Sequence, residues 1–250
     1  MPTSTPVDVL TGRGRRFAVL GAALAVIALL CVMALAGQTR AGASAPGHPH
    51  VYSTPSATPS GPATAGSAVK AAPTELALPQ PTAIVDGVPT GYPQTAAGAI
   101  AAAYGYSRIA TGVDVPSTLH TIEALADPAT GWFPRQRAQI ADGLVEQRAT
   151  LGLPAAGSTG DAAINVNPSA YKVIAGSGPS LTILTLNVID AQNTDGSTTS
   201  GTVVFRWTLR WNGTRWLATA GFLDDTDAAL AVAPYTSAAE AAGWMVARGG

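Results

Sequence analysis

The feature of the sequence that most constrains the fold is an apolar segment near the N-terminus, from Phe17 to Gly37. The segment (FAVLGAALAVIALLCVMALAG) has 21 residues and no charged, amide or hydroxyl side chain. An α-helix rises about 1.5 Å per residue, so this segment would be roughly 30 Å long, the hydrocarbon thickness of a bilayer. The sequence therefore predicts a single transmembrane helix at residues 17–37, with the lipid bilayer as its partner.

Basic residues before the apolar segment set its predicted orientation. Arg13, Arg15 and Arg16 lie directly before it, whereas Arg40 alone follows closely. The positive-inside rule then places residues 1–16 in the cytoplasm as a short tail and everything after the segment outside. The predicted location is the cell membrane, with an extracellular C-terminal domain.

Cleavage of the segment as a signal peptide is the alternative. Ala34-Leu35-Ala36 fits the small-residue pattern that precedes a cleavage site. The apolar run is longer than the roughly 7–15 residues of a typical signal-peptide core, and no polar stretch separates it from that site. An uncleaved anchor is therefore favoured, and both alternatives place the following residues outside.

Residues 38–88 have the composition of a disordered linker. They are rich in Pro, Ala, Ser and Thr, and they contain too few large apolar residues to close a core. Prolines remove amide donors and favour an extended chain, so the linker would hold a following domain away from the membrane. His48 and His50 lack further ligands nearby, so they are interpreted as solvated linker residues and not as a metal site.

The overall composition argues against several classes of protein. The formal net charge is −1, so no field of basic charge favours binding to nucleic acid. The single cysteine, Cys31, lies within the apolar segment, so the rest of the chain has no disulfide and no cysteine nucleophile. The sequence contains no Gly-x-Ser-x-Gly, phosphate-loop or zinc signature. We predict no cofactor and no metal, and the residues favour a non-enzymatic function without excluding catalysis.

Residues 89–250 show the pattern of an α+β domain. Capping residues and apolar spacing predict four helices, at residues 96–109 after the N-cap Thr95, through residue 125 after the N-cap Ser117, from about 132 to 151, and at 237–246. Alternating patterns then predict strands at 171–174, at 181–190, and in two arms of a hairpin that ends near Phe222. The second of these strands is apolar on both faces, which is typical of a covered central strand.

The hairpin is the clearest structural signal. Asn212-Gly213 is the favoured dipeptide for a two-residue type I′ turn. That turn would place Arg210 opposite Arg215 and would bring Trp207 and Trp216 to one apolar face. Because a slip of one residue would destroy the apolar match, the pattern predicts a well-specified register.

Arg206, Arg210 and Arg215 are the candidate partner-binding residues. The predicted register places them on the hairpin face opposite the two tryptophans, with like charges facing each other at positions 210 and 215. Such a pair is unfavourable unless solvent or an anionic partner relieves the repulsion. The sequence leaves open a docking surface and a merely solvated sheet face.

Two further groups of polar residues are weaker candidates. His120 and Glu123 lie three residues apart on the predicted second helix, which suits a metal or acid–base site only if other groups converge. Asp224, Asp225 and Asp227 follow the last strand, but they lack the spaced ligands and the glycine of a calcium-binding loop. We therefore predict that the histidine and glutamate form a surface pair. The three aspartates are predicted to lie in a solvated turn or at a helix N-terminus.

The order of the elements resembles a known fold. Helices followed by a four-stranded antiparallel sheet that ends in a tryptophan-rich hairpin resemble the NTF2-like fold, and the preceding anchor is similar to that of VirB8-type and TcpC-type proteins. Those families are inner-membrane components of type IV secretion and conjugation machines. The segment 87–110 also resembles the opening of actinobacterial membrane-anchored proteins. The likeness covers roughly residues 87–222 and rests on element order and on Gly91-Tyr92-Pro93, Trp207, Trp211 and Trp216.

The resemblance implies a cone-shaped α+β domain of about three helices on the sheet. It implies a single-pass, non-enzymatic scaffold module of a conjugation or type IV secretion apparatus, whose partners are other envelope proteins or a second copy. The NTF2-like fold also hosts enzymes and binders, so a tethered small-molecule-binding or enzymatic domain is one alternative. A wall-spanning adhesin or sensor ectodomain is the other.

Overall fold

The structure, a computed structural model, describes residues 76–223 and 225–248 of the 250-residue chain. The predicted cytoplasmic tail, the transmembrane helix at 17–37 and most of the predicted linker lie outside the described residues. Of the helices within the two described ranges, none has the length and apolar character needed to cross a bilayer.

The described residues form strands and helices in the following order. They are β1 (Leu76–Ala77), β2 (Ala83–Val85), β3 (Val88–Thr90), α1 (Ala96–Ile109), α2 (Val115–Leu125), α3 (Trp132–Thr150), β4 (Ala163–Ser177), β5 (Ser180–Gln192), β6 (Thr198–Trp211), β7 (Trp216–Ala218), α4 (Ser237–Ala241) and β8 (Ala247–Arg248). Short 3₁₀ helices lie at Pro128–Thr130 and Asp225–Leu230. The predicted α+β class, with three longer helices before a four-stranded antiparallel sheet, is confirmed.

The main sheet is a meander in which each strand pairs with the next in the chain. Its order is β4-β5-β6-β7, and every neighbouring pair is antiparallel. Pairing of consecutive strands needs only short connections, which suits a chain with a clear hairpin pattern. The strands β4, β5 and β6 are longer than their apolar patterns alone predict.

Local capping chemistry sets where the helices begin. The Thr95 hydroxyl accepts a hydrogen bond from the Gly98 amide at 3.0 Å, so α1 has the predicted N-cap. In α2 the cap is Asp114, whose carboxylate accepts from the Ser117 amide at 3.0 Å. Asp114 precedes Val115-Pro116, and proline is favoured in the first turn of a helix, so α2 begins before the predicted cap at Ser117.

Both faces of the sheet are covered. On one face, Phe205, Trp207 and Trp216 are buried in the large core that the sheet forms with α1, α2 and α3. On the other face, a second cluster that includes Leu184 and Leu186 packs with Trp244 from the C-terminal segment. The prediction that Trp207 and Trp216 share one face is confirmed, and β5 is a covered central strand as its pattern indicated.

The register of the hairpin differs from the prediction. Trp211 pairs with Trp216 and Arg210 pairs with Leu217, so Arg210 does not face Arg215. The Asn212 side chain is the reason, because its Oδ1 accepts from the amides of Thr214 and Arg215 and lengthens the loop to residues 212–215. The prediction of a two-residue turn at Asn212-Gly213 is therefore wrong. The new register also brings the rings of Trp211 and Trp216 together, edge to face at 5.5 Å.

The described residues include strands within the segment predicted to be linker. The strands β2 and β3 form a hairpin at residues 83–90, and β1 pairs in parallel with β8 at the far end of the chain. Leu78 and Val88 are buried in the large core. The linker predicted for residues 38–88 thus overlaps a segment that contributes to the domain.

The last predicted helix is shorter than the pattern indicated. α4 ends at Ala241, and Gly243, with a φ of +78°, turns the chain so that Trp244 packs on the sheet. Met245 then pairs with Tyr171 on the outer edge of β4, where each amide donates to the other residue's carbonyl. The C-terminal segment therefore closes one face of the sheet and part of its edge.

Candidate functional site

The structure gives two of the three predicted partner-binding arginines partners within the chain. Arg206 on β6 binds Asp227 through two hydrogen bonds of 2.7 and 2.6 Å. Arg210, further along β6, donates from its Nε to the Asp127 carboxylate at 2.7 Å and forms an ion pair with it. The guanidinium groups therefore hold together segments that are distant in sequence. Sequence reasoning missed both pairs, because Asp127 and Asp227 carry no local signal for them.

Asp127 is buried and held by its own backbone as well as by Arg210. Only 2% of its surface is exposed, its carboxylate accepts from the Ala129 amide at 3.0 Å, and its amide donates to the Ala218 carbonyl at 2.7 Å. A buried carboxylate needs such donors, because desolvation of an unpaired charge is costly. Asp127 and Arg210 thus join the segment before α3 to the last two strands of the sheet.

Arg215 is the arginine that remains available at the hairpin. It lies in the 212–215 loop, is half-buried, and has no acidic partner among the residues that the structure describes. Its guanidinium acts on the hydroxyl of Tyr106: burial raises the pKa of Tyr106, and the charge of Arg215 lowers it in part. Docking through the three arginines stays a prediction, and Arg215 is the one of them for which no ion pair is found within the described residues.

The histidine and aspartate candidates do not form a site in the described residues. His120 and Glu123 are both exposed on α2, as a surface pair would be. No group of three or more His, Cys, Asp or Glu side chains in the described ranges is placed to hold a metal ion. Asp227 is not a solvated residue, since Arg206 binds it in a buried setting, and Asp224 lies outside the described residues. His48 and His50 lie outside them as well.

A cleft opens between the helices and the segment after β7. It is open to solvent on one side, and its interior is narrow, with a cavity volume of about 40 Å³. Its walls are mainly apolar: Trp132, Ile140 and Leu144 of α3 face Phe222 across it. No charged side chain lines the cleft among the described residues.

Two polar atoms at this cleft have no hydrogen-bond partner. They are Gln136 Oε1 and Thr111 Oγ1, both buried from solvent. Gly221 is next to the amide, because a Cβ at that position would lie 3.0 Å from Gln136 Oε1. Neither atom has surface open to a water-sized probe, so the cleft is the candidate binding site of the described residues because of its concave, mainly apolar walls.

A buried polar network lies deeper in the core. The Trp207 indole donates to Ser107 Oγ at 2.9 Å, and Ser107 Oγ is 3.0 Å from the hydroxyl of Thr185. Asn187 Nδ2 donates to that hydroxyl at 3.1 Å, while Asn187 Oδ1 has no partner. The signal in the sequence was the polar residues at inward positions of LTILTLNVID, where an apolar strand would place none. The network fixes α1 on β5 and β6.

Arg148 is buried, and no carboxylate in the described part of the chain contacts its guanidinium. It is 1% exposed, and its guanidinium donates to the carbonyls of Val113, Pro154, Gly157 and Ser158. The helical pattern of α3 gave no indication that this arginine points inward. The side chain joins the end of α3 to the loop before β4 and to the connection between α1 and α2.

Comparisons with known proteins found no relative of this chain. The chain matches no family model, no curated protein and no solved structure. The likeness to NTF2-like and VirB8-type or TcpC-type proteins stays a prediction from the order of the elements.

Proposed function

We propose that the protein is a single-pass, membrane-anchored scaffold module whose folded domain lies outside the cytoplasm. The domain would dock onto other envelope proteins or onto a second copy, in the way of components of a conjugation or type IV secretion apparatus. The observation that carries this proposal is the apolar segment from Phe17 to Gly37, which follows three arginines and is long enough to span a bilayer.

The chain between the anchor and the domain supports the same arrangement. Residues 38–75 are rich in proline and small polar residues, a composition that favours an extended chain. Such a segment would let the domain reach partners well away from the bilayer surface. The described domain then supplies a rigid body, because both faces of its sheet are covered and its ends are joined through β1 and β8.

The anchor is tested by fractionating cells that express the full chain with a C-terminal tag. We expect the tagged chain to keep its full length, to stay with the membrane after an alkaline wash, and to be digested by protease added to intact cells. Recovery of the tagged domain in the medium, with a new N-terminus after Ala36, would overturn the anchor. Protection from external protease would overturn the orientation.

Docking is tested at Arg215, because charge reversal at Arg206 or Arg210 would also break an ion pair within the chain. Chemical cross-linking in membranes should give a defined adduct of the full chain that Arg215→Glu weakens at least severalfold. Arg137→Glu is the matched control, since Arg137 is exposed on α3 and no ion pair with it is found in the described domain. Equal adduct in both variants would show that the hairpin cation takes no part in docking.

A further inference from the structure

We propose that residues 51–54 of the predicted linker dock as an extra strand in a groove at the open edge of β6. The groove has a volume of about 370 Å³ and lies between residues 202–204 of the sheet and the chain at residues 228–233. The inference goes beyond the scaffold function and does not depend on the membrane anchor. It rests on the unpaired backbone of the edge, on the uncharged walls of the groove and on the length of chain that precedes Leu76.

The first half of β6 has an outer edge with no neighbouring strand among the described residues. The Arg206 amide donates to the Phe222 carbonyl at 2.8 Å, which shows that Arg206 directs its backbone groups away from β5. Because β5 and β6 pair without a register shift, Ser200 and Thr202 direct theirs to the same side. In the described part of the chain, no backbone hydrogen bond from another segment reaches these two residues. An open edge of this kind can pair with an added strand.

The walls of the groove carry no charged side chain among the described residues. On one side are residues 202–204 of β6, and on the other are Ala228 and residues 231–233, which are alanine and valine. Asp227, next to Ala228 in the chain, is buried and bound by Arg206. A charged segment would lose its hydration in the groove without gaining a counter-ion. The groove therefore favours an extended segment without charge.

Residues 51–54 (VYST) are the part of the predicted linker that best meets these requirements. Between residues 38 and 75 the large apolar residues are Val51, Tyr52 and Val69, and the charged Lys70 follows the last of them. Valine, tyrosine and threonine favour β-strands, and residues 51–54 contain no charge. Because side chains alternate along a strand, one of Val51 and Tyr52 would face the alanine wall.

The length of the intervening chain allows this docking. About 20 residues separate Thr54 from Leu76, and at roughly 3.3 Å each they reach up to about 65 Å. A domain of this size has a radius of gyration of about 16 Å, so the segment can reach the groove. An attached segment has an effective concentration of about 1 mM, so a dissociation constant of about 0.1 mM would keep the groove about nine-tenths occupied.

Hydrogen exchange of the full chain in detergent micelles, followed by NMR at neutral pH, tests the docking. We expect the Thr202 amide to exchange about tenfold more slowly in the unmodified chain than in a double variant, Val51→Pro with Tyr52→Pro. Proline has no amide donor and blocks pairing of the segment with β6. Ala68→Pro with Val69→Pro is the matched control in the same linker and should leave the exchange rate unchanged.

A second pair of variants tests the groove itself. Ala228→Asp places a charge in the wall and should speed exchange of the Thr202 amide about as much as the two prolines do. Ala229→Asp is the control, because Ala229 is exposed on the same short 3₁₀ helix and does not line the groove. The Arg206 amide, which is bonded to the Phe222 carbonyl, should exchange slowly in every variant and so checks that each one is folded.

Three outcomes would overturn the proposal. One is exchange of the Thr202 amide at the rate of a fully exposed amide in the unmodified chain, as expected if the groove is empty. Another is equally slow exchange when Val51 and Tyr52 are both proline, which would show that another group covers the edge. The third is protection that increases with protein concentration, which would assign the occupant to a second copy.

Discussion

Tyr104 and Tyr106 lie two residues apart on α1 and differ in what their hydroxyl groups contact. Tyr106 donates to the Trp216 carbonyl at 2.7 Å, whereas the Tyr104 hydroxyl is buried and has no partner among the described residues. The Tyr106 hydroxyl replaces its lost hydrogen bond to water with one to the protein, whereas the Tyr104 hydroxyl does not. A buried polar group without a partner costs about 1–3 kcal/mol, so the two hydroxyl groups contribute to stability with opposite sign.

Phenylalanine substitutions test this difference. Tyr104→Phe should raise the free energy of unfolding by about 1 kcal/mol, because it removes an unpaired hydroxyl and keeps the ring. Tyr106→Phe should lower it by about 1 kcal/mol, because the Trp216 carbonyl loses its donor. Denaturant unfolding of the full chain and of the two variants is the measurement. A loss of stability in both variants would show that the Tyr104 hydroxyl has a partner in solution.

Buried tyrosines also predict how stability depends on alkaline pH. Burial raises the pKa of Tyr92 to about 12, and burial likewise raises the pKa values of Tyr104 and Tyr106. In the unfolded chain these hydroxyls titrate near pH 10, so between about 10 and 12 the folded state holds more protons than the unfolded one. Stability is therefore fully present below pH 10 and is lost as the pH rises through the folded pKa values.

We expect the thermal midpoint to be flat up to about pH 10 and to fall above it, because the free energy of unfolding drops by about 1.4 kcal/mol per pH unit for each buried tyrosine. Tyr92→Phe should reduce that slope. Absorbance of tyrosinate, followed with circular dichroism, should show ionisation of the buried groups only as the chain unfolds. Complete tyrosinate formation near pH 10 in a folded chain would contradict the prediction.

At the level of the elements, Arg148 holds the end of α3 to its surroundings. It supplies hydrogen bonds to carbonyl groups of two separate loops and is itself almost completely buried. Because its partners within residues 76–223 and 225–248 are carbonyl groups, the contribution of the guanidinium comes from its planar set of donors. Removing it would leave several carbonyls buried and unpaired.

Arg148→Met should therefore lower the free energy of unfolding by about 3 kcal/mol or more, since it keeps the aliphatic stem and removes the donors. Arg148→Lys should recover little of the lost stability, because a compact ammonium group cannot reach all the carbonyls that the planar guanidinium contacts. Arg137→Met, on the exposed part of the same helix, should stay within about 0.5 kcal/mol of the original chain. Denaturant unfolding distinguishes these outcomes, and equal effects at 137 and 148 would contradict the burial of Arg148.

The elements also show what the sequence could predict and what it could not. The Thr95 cap and the bounds of α1 and α3 depend on neighbouring residues, so local patterns located them. The hairpin register depends on how the Asn212 side chain bonds within its loop, a choice that the dipeptide preference did not decide. The Arg210–Asp127 contact joins residues 83 positions apart. Nothing local indicates such a contact, and the same holds for the free atoms at the cleft.

At the scale of the whole molecule, the two ends of the described chain meet. Among the described residues β1 is the first element, and it pairs with β8, the last described one. Leu78 and Val88 from the same N-terminal part are buried in the core, with 6% and 1% of their surfaces exposed. The composition of residues 38–88 does not indicate this role, because a few apolar residues among prolines and small polar residues are also typical of a linker. The domain therefore begins with a segment that its sequence pattern alone assigns to the tether.

Two soluble fragments test where the folded unit begins. A fragment of residues 76–250 should unfold cooperatively, whereas residues 89–250 lack β1, β2, Leu78 and Val88. Full burial of each of those two side chains contributes about 1.5–3 kcal/mol, so the shorter fragment should be less stable by roughly 4 kcal/mol. Denaturant unfolding of both fragments gives the difference, and Leu78→Ala in the longer fragment should account for about half of it. Equal stability of the two fragments would show that residues 76–88 do not stabilise the domain and belong to the linker, as the sequence pattern predicted.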